Sequence, residues 1–170
     1  MGLRSNSREP VEFASFSCRC RAAATNAMKL PPDVECIEDA RLFIWRPRGV
    51  LNEGLVNKIL AFIGDQEGKF GRPFDRFTDM SALKAVNLSF KYVFHFALYR
   101  RLSRAGRETV KSAFLVTDPK VARYVKLHAL MTDHSPLQVA MFEEYQAAAT
   151  WLGVPIELLT APVTRTERTP

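Results

Sequence analysis

The chain has 170 residues, 47% of them hydrophobic and 25% charged, with a formal net charge of +6 at pH 7. That length and balance fit one globular domain with tails, because single domains commonly run to roughly 100–200 residues. The longest apolar runs, such as Ala61-Phe62-Ile63 and Ser112 to Val116, fall well below the roughly 18 residues needed to cross a bilayer, so no membrane span is expected.

Residues 1 to 33 are rich in Ser, Arg and Ala and follow no helical or strand period. They read as a disordered tail, or as sequence upstream of a translation start at Met28. Glu9 and Glu12 argue against a transit peptide, and Asn6 stands where a myristoylation motif wants Ser or Thr. Residues 161 to 170 read as a second flexible tail, leaving one domain over 34 to 160. The cysteines Cys18, Cys20 and Cys36 make no disulfide framework, which favours a reducing, cytoplasmic setting. No later Cys/His pair answers Cys18-Arg19-Cys20, so no metal and no other cofactor is expected.

In chain order, Val34 to Ile37 and Arg41 to Arg46 read as two short strands joined by Glu38-Asp39, an antiparallel hairpin that Pro47 and Gly49 end. Asn52 is an N-cap for a helix from Glu53 to about Asp65, with Leu55, Val56, Ile59, Phe62 and Ile63 on its apolar side. Gly68 and Gly71 read as breaks, and Phe74 to Thr78 as a strand leading into Asp79. A second helix opens near Asn87 or Ser89 and closes at Gly106. Its period puts Phe90, Val93, Phe94, Ala97, Leu98 and Leu102 on one inward face.

Val110 to Val116 is a near-continuous apolar run, expected as the central strand. Thr117-Asp118-Pro119 starts a third helix, whose apolar side is Val121, Ala122, Val125 and Ala129. After a turn at His134-Ser135-Pro136 come a last strand, Leu137 to Phe142, and a last helix, Glu143 to Leu152, ended by Gly153. The order ββαβαβαβα implies an α/β fold, a small mixed sheet of about five strands whose later members are parallel, with helices packed against it.

About half of the positive charge lies in the tails. The remainder concentrates on Lys91, Arg100, Arg101, Arg104, Arg107 and Lys111, read as the solvated face and end of the second helix. Such a face suits an acidic partner. Nucleic acid is not expected, because the aromatic interleaving of a single-strand binder is missing.

Three segments resemble the STAS and SpoIIAA-like superfamily. Asp79-Met80-Ser81-Ala82-Leu83 is similar to the family's Leu-Asp-Leu-Ser-Gly run, and Asn87-Leu88-Ser89 opens the next helix as the family's loop does. Phe142-Glu143-Glu144, followed by Ala148, Ala149, Trp151 and Leu152, resembles the ending of SpoIIAA-like proteins. With the element order, the likeness spans roughly Val34 to Val154 and implies a small sheet with helices against it. In the family's anti-sigma-factor antagonists the loop reads Asp-Ser-Ser-Gly, with its first serine phosphorylated. Here Asn87, Leu88, Ser89 and Phe90 take those places, so the phosphoacceptor is replaced by leucine. Ser89 reads as a helix cap.

No nucleophile elbow, Gly-rich phosphate cradle or catalytic triad is present. His128, four residues after Tyr124, reads as a structural hydrogen-bonded pair with it. Asp79 and Asp118 follow strands and are candidates for a crevice at the carboxyl edge of the sheet, though capping explains both. Two functions remain in front of an enzyme. One is a non-catalytic interaction or regulatory module, a homodimer included, that uses Asn87, Leu88, Ser89, Phe90 and Lys91 with Arg100, Arg101 and Arg104. The other is a carrier or sensor of a small apolar, lipid-like ligand in a pocket drawn from Trp45, Phe90, Phe94 and Phe96, which the SpoIIAA-like resemblance also suggests. Phe90 and Phe94 equally fit a core role by their period, whereas Phe96 lies off that stripe.

Overall fold

A computed structural model describes residues 33–103 and 107–161, so both expected tails, Arg104 and the helix stop at Gly106 lie outside the described residues. Three of the strands form the hairpin and its first parallel extension. β1 (Val34–Ile37) and β2 (Leu42–Trp45) pair antiparallel, and β2 pairs in parallel with β4 (Asp75–Asp79). β3 (Gly49–Asn52) leaves the hairpin and makes a separate small sheet with β5 (Leu83–Asn87). β6 (Val110–Leu115) and β7 (Leu137–Phe142) complete a five-stranded mixed sheet in the order β1-β2-β4-β6-β7. The class and mixed pairing are those expected. The central strand, however, is β4; β6 is one in from the edge, and its apolar run reflects coverage on both faces.

Strand alternation sorts the two faces of the sheet. Leu42, Ile44, Phe77, Ala113 and Leu115 point to one side and pack with α4 (Tyr145–Leu152) and α5 (Ile156–Thr160). Phe43 and Trp45 point to the other, where α1 (Glu53–Phe70) brings Ile59, Phe62 and Ile63. On that same side α3 (Pro119–Thr132) adds Val121 and Val125 beside Val116. Between α1 and α3 lies α2 (Phe90–Ser103), whose main neighbour is α3 and not the sheet.

Local signals explain most boundaries. Asn52 Oδ1 accepts the Leu55 amide at 2.9 Å and starts α1; Asp118 Oδ1 accepts the Lys120 amide at 2.7 Å and starts α3, with Pro119 in its first turn. Helix α1 runs through Gly64 and Gly68 and stops only at Gly71, whose φ of 65° suits a residue without Cβ. Gly153, at φ 78°, ends α4 by donating to the Ala149 and Thr150 carbonyls. Helix α4 starts at Tyr145, two residues later than expected, and Ala147 faces solvent. Lys111 is on β6, where Nζ donates to the Trp151 carbonyl at 2.7 Å and lies 5.5 Å from the Trp151 ring; it is no part of a helical basic face.

Sequence reading gave no element after Gly153, yet α5 is anchored in the core. Leu159 is fully buried against the α4 face, and Arg46 Nη2 donates to its carbonyl at 2.9 Å while Nη1 meets Glu35 at 3.1 Å. Leu159→Ala is therefore expected to destabilise the protein by about 2–5 kcal/mol, the range for emptying a buried leucine site. Leu158→Ala, at a half-buried neighbour, is expected to cost about 1 kcal/mol. Urea midpoints of the two variants check this, and equal midpoints would show that α5 is peripheral.

Candidate functional site

Because β4 and β6 alternate, the side of the sheet facing α2 receives Arg76 and Thr78 from β4 and Ser112 and Phe114 from β6. A polar strip is thus placed at the floor of an otherwise apolar layer. Above it, the packing of α2 on α3 leaves a cavity of about 110 Å³. Its walls are Trp45, Leu51, Ile59 and Ile63 on one side, Val93 and Phe96 of α2 above, and Val121, Val125 and His128 of α3 opposite.

Helix α2 closes this space through its first turn. The Ser89 hydroxyl accepts the Tyr92 amide at 3.1 Å and donates to Glu53 Oε1 at 3.2 Å. Tyr92 then donates its hydroxyl to Asn57 Oδ1 at 2.8 Å, tying α2 to α1 over the cavity. Burial, with the Glu53 carboxylate as the lesser cause, raises the Tyr92 phenol above its ordinary pKa, so it stays a donor. This anchoring sets the rotation of α2, which turns Val93, Phe96, Ala97 and Arg100 inward.

That rotation corrects the expected face. Phe90, Phe94, Leu98 and Leu102 share a stripe, but it is the exposed one; Phe90 is 48% and Leu102 67% accessible. Arg100, expected on the solvated side, is buried and lines the cavity. Lys91 and Arg101 are exposed as expected, and Arg104 lies outside the described residues. Of the four aromatic residues considered for a pocket, Trp45 and Phe96 line it; Phe90 and Phe94 do not.

The loop before α2 divides in the same way. Leu88 points into the cavity wall, Asn87 is an exposed strand end paired beside Asn52, and Ser89 is a cap whose hydroxyl is engaged twice. The two aspartates do not meet in a crevice. Asp79 is buried on the α4 side, where its carboxylate accepts the Tyr145 hydroxyl at 2.6 Å and the Ser81 amide at 2.9 Å. Burial first, and then that bond, raise the Tyr145 phenol. Asp118 is the exposed cap of α3.

The floor of the cavity carries a charged group, and the α3 wall beside it a neutral ring. Arg76 Nη2 donates to Glu67 Oε1 at 2.7 Å, with both side chains largely shielded from water. Beside it His128 is held between Phe96 and Phe114, at centroid distances of 5.1 and 5.9 Å. Its expected partner Tyr124 stacks instead on Phe90 at 4.9 Å, and among the described residues His128 Nε2 has no hydrogen-bond partner. Burial, and then the Arg76 guanidinium, lower His128 from 6.5 to about 4, so the imidazole is neutral at pH 7. Sequence reading missed Arg76 and mistook His128. A strand whose alternation puts Arg76 on one face with Phe74 and Thr78, in Phe74-Asp75-Arg76-Phe77-Thr78, was the available signal.

A neutral buried histidine has a definite pH consequence. The unfolded chain takes up the proton at pH 6.5 and the folded one only near 4. Its contribution is therefore complete above pH 6.5 and is lost as pH falls toward 4. At about pH 4.5 the loss is about 2–3 kcal/mol. His128→Leu removes it, so the stability difference between parent and variant is expected to shift by that amount in the variant's favour between about pH 7 and about pH 4.5. Urea titrations at both values measure the shift; a pH-independent difference would show that folding leaves the His128 pKa unlowered.

No protein-family model, curated protein or solved structure matches this chain, and the site rests on its own geometry.

Proposed function

We propose that the protein binds a small, largely apolar molecule with a polar head group in the cavity beneath α2, as a carrier or sensor and not by turnover. The observation that carries this reading is the buried Nε2 of His128, which has no hydrogen-bond partner among the described residues, in the wall of a largely apolar cavity. A buried polar atom without a partner costs roughly 1–3 kcal/mol, so it is an unusual thing for a fold to retain. A bound head group would recover that energy. Neutral imidazole pairs with a hydroxyl or an acceptor, and the Arg76 and Arg100 guanidiniums on the same lining favour an acceptor or a carboxylate. Size sets the rest: an apolar cavity of about 150 Å³ accommodates benzene. The 110 Å³ here suits a body of about five heavy atoms, with longer chains reaching toward the mouth.

The alternative, an interaction module centred on residues 87 to 91 and the arginines of α2, loses several of its groups. Leu88 and Arg100 face inward, and the Ser89 hydroxyl is committed to its cap and to Glu53. The SpoIIAA-like resemblance favours the pocket reading as well.

Thermal melts with a matched series of butyrate, isobutyrate, 1-butanol and 1-pentanol test the proposal. A ligand present at about ten times its Kd adds about 1.4 kcal/mol and raises the midpoint by roughly 4–6 °C in a domain of this size. Ser112→Leu, which pushes a larger side chain into the cavity floor, is expected to abolish the rise while keeping a cooperative melt. If none of the series moves the midpoint, or if Ser112→Leu keeps the full rise, the cavity is not the binding site.

A further inference from the structure

The outer faces of α2 and α3 carry a chemistry that the cavity does not use. Neither 14-residue helix contains an Asp or a Glu. On α2 the exposed stripe Phe90, Phe94, Leu98 and Leu102 advances at four-residue steps over about 18 Å, with Lys91 and Arg101 interspersed. Helix α3 continues that surface with Leu130, which is 70% accessible, and with exposed Lys120, Arg123 and Lys126. The two helices share one face at the Phe90–Tyr124 stack, over which the Arg123 guanidinium lies 5.4 Å from one ring and 5.3 Å from the other. The acids bordering α3, Asp118 and Asp133, stand at its two ends and not on that face.

We infer that this α2–α3 face docks on an anionic lipid bilayer, with the leucines and phenylalanines entering the headgroup–acyl boundary and the cations meeting phosphate groups. Charge decides among the occupants. A second copy would set one acid-free cationic face against another. A polyanion such as nucleic acid would satisfy the cations and aromatic rings but leave Leu98, Leu102 and Leu130 in water. Protein interfaces are depleted in lysine, whereas lysine and arginine flanking an apolar helix stripe are the usual composition of helices lying in a membrane interface. The inference stands apart from the cavity proposal, since the exposed leucines, phenylalanines, lysines and arginines it uses do not line the cavity, and Tyr124 alone borders both.

Vesicle co-sedimentation of the full chain tests it. Vesicles of phosphatidylcholine with about one third phosphatidylglycerol are expected to bind the protein, phosphatidylcholine alone to bind it at least tenfold more weakly, and added salt to weaken the anionic case. Leu98→Gln/Leu102→Gln, at exposed positions, is expected to lower binding at least tenfold with an unchanged melting curve. Arg101→Gln/Lys126→Gln is expected to lower it by about fivefold per charge removed. No binding to anionic vesicles would overturn the inference, as would binding that the leucine substitutions leave intact, which would mark a polyanion site or attachment through other residues. A dimer by light scattering that the leucine pair dissociates would assign the face to a second copy and also overturn it.

Discussion

A guanidinium in the middle strand of a parallel sheet needs a carboxylate close enough to hold it, and much of this fold follows from how Arg76 is answered. Arg76 is buried in β4, and Glu67 reaches it at 2.7 Å from the last turns of α1. For that carboxylate to arrive, α1 has to continue through Gly64, where helix propensity alone would let it fray. The ion pair leaves a fixed polar floor under α2, while burial first and the Arg76 guanidinium second keep the neighbouring imidazole uncharged. On the opposite side of the same strand Phe77 packs in an apolar core with Leu42, Ile44 and Leu115, so one β-strand serves two layers of different polarity.

The readable parts of the sequence were those where local chemistry and tertiary packing agree. The hairpin, the caps Asn52 and Asp118, the stop at Gly153 and the parallel order of the later strands all have short-range signals. β3 and β5 were missed because each pairs only with the other, across more than thirty residues, and Gly49 looked like punctuation. Gly68 misled in the same way, its cost in helix being outweighed by the partnership of Glu67 with Arg76. Helix α5 lacked a visible period in its five residues, and its hold comes from Arg46 far back in the chain.

Helix α2 shows why the site was harder to read than the fold. Its apolar residues exceed what one face can bury, so counting them by helical period put Phe90, Phe94, Leu98 and Leu102 on the inner face together with Val93 and Ala97, and only the last two are buried. The actual inner face combines a valine, an alanine and an arginine with Phe96, a mixture without a strong amphipathic signature. What decided the rotation was the engagement of Ser89 and Tyr92 with Glu53 and Asn57, contacts between residues more than thirty positions apart. Phe96, the aromatic residue off the stripe, was the informative one. His128 was expected only as the hydrogen-bonded partner of Tyr124; its inward place depends on Arg76 and Phe114 from two different strands.

The hollow under α2 also makes the two sides of the sheet mechanically unequal. Space enclosed by the folded chain disappears when it unfolds, and hydrostatic pressure favours the smaller state. The 110 Å³ cavity corresponds to about 66 mL/mol if wholly eliminated, within the range of roughly 20–100 mL/mol by which proteins contract on unfolding. Compression therefore works chiefly on the α1–α2–α3 side, where side chains meet empty volume. The α4–α5 side, with Ala148, Ala149, Leu152 and Leu159 packed against β2, β4 and β6, has little volume to give up and resists.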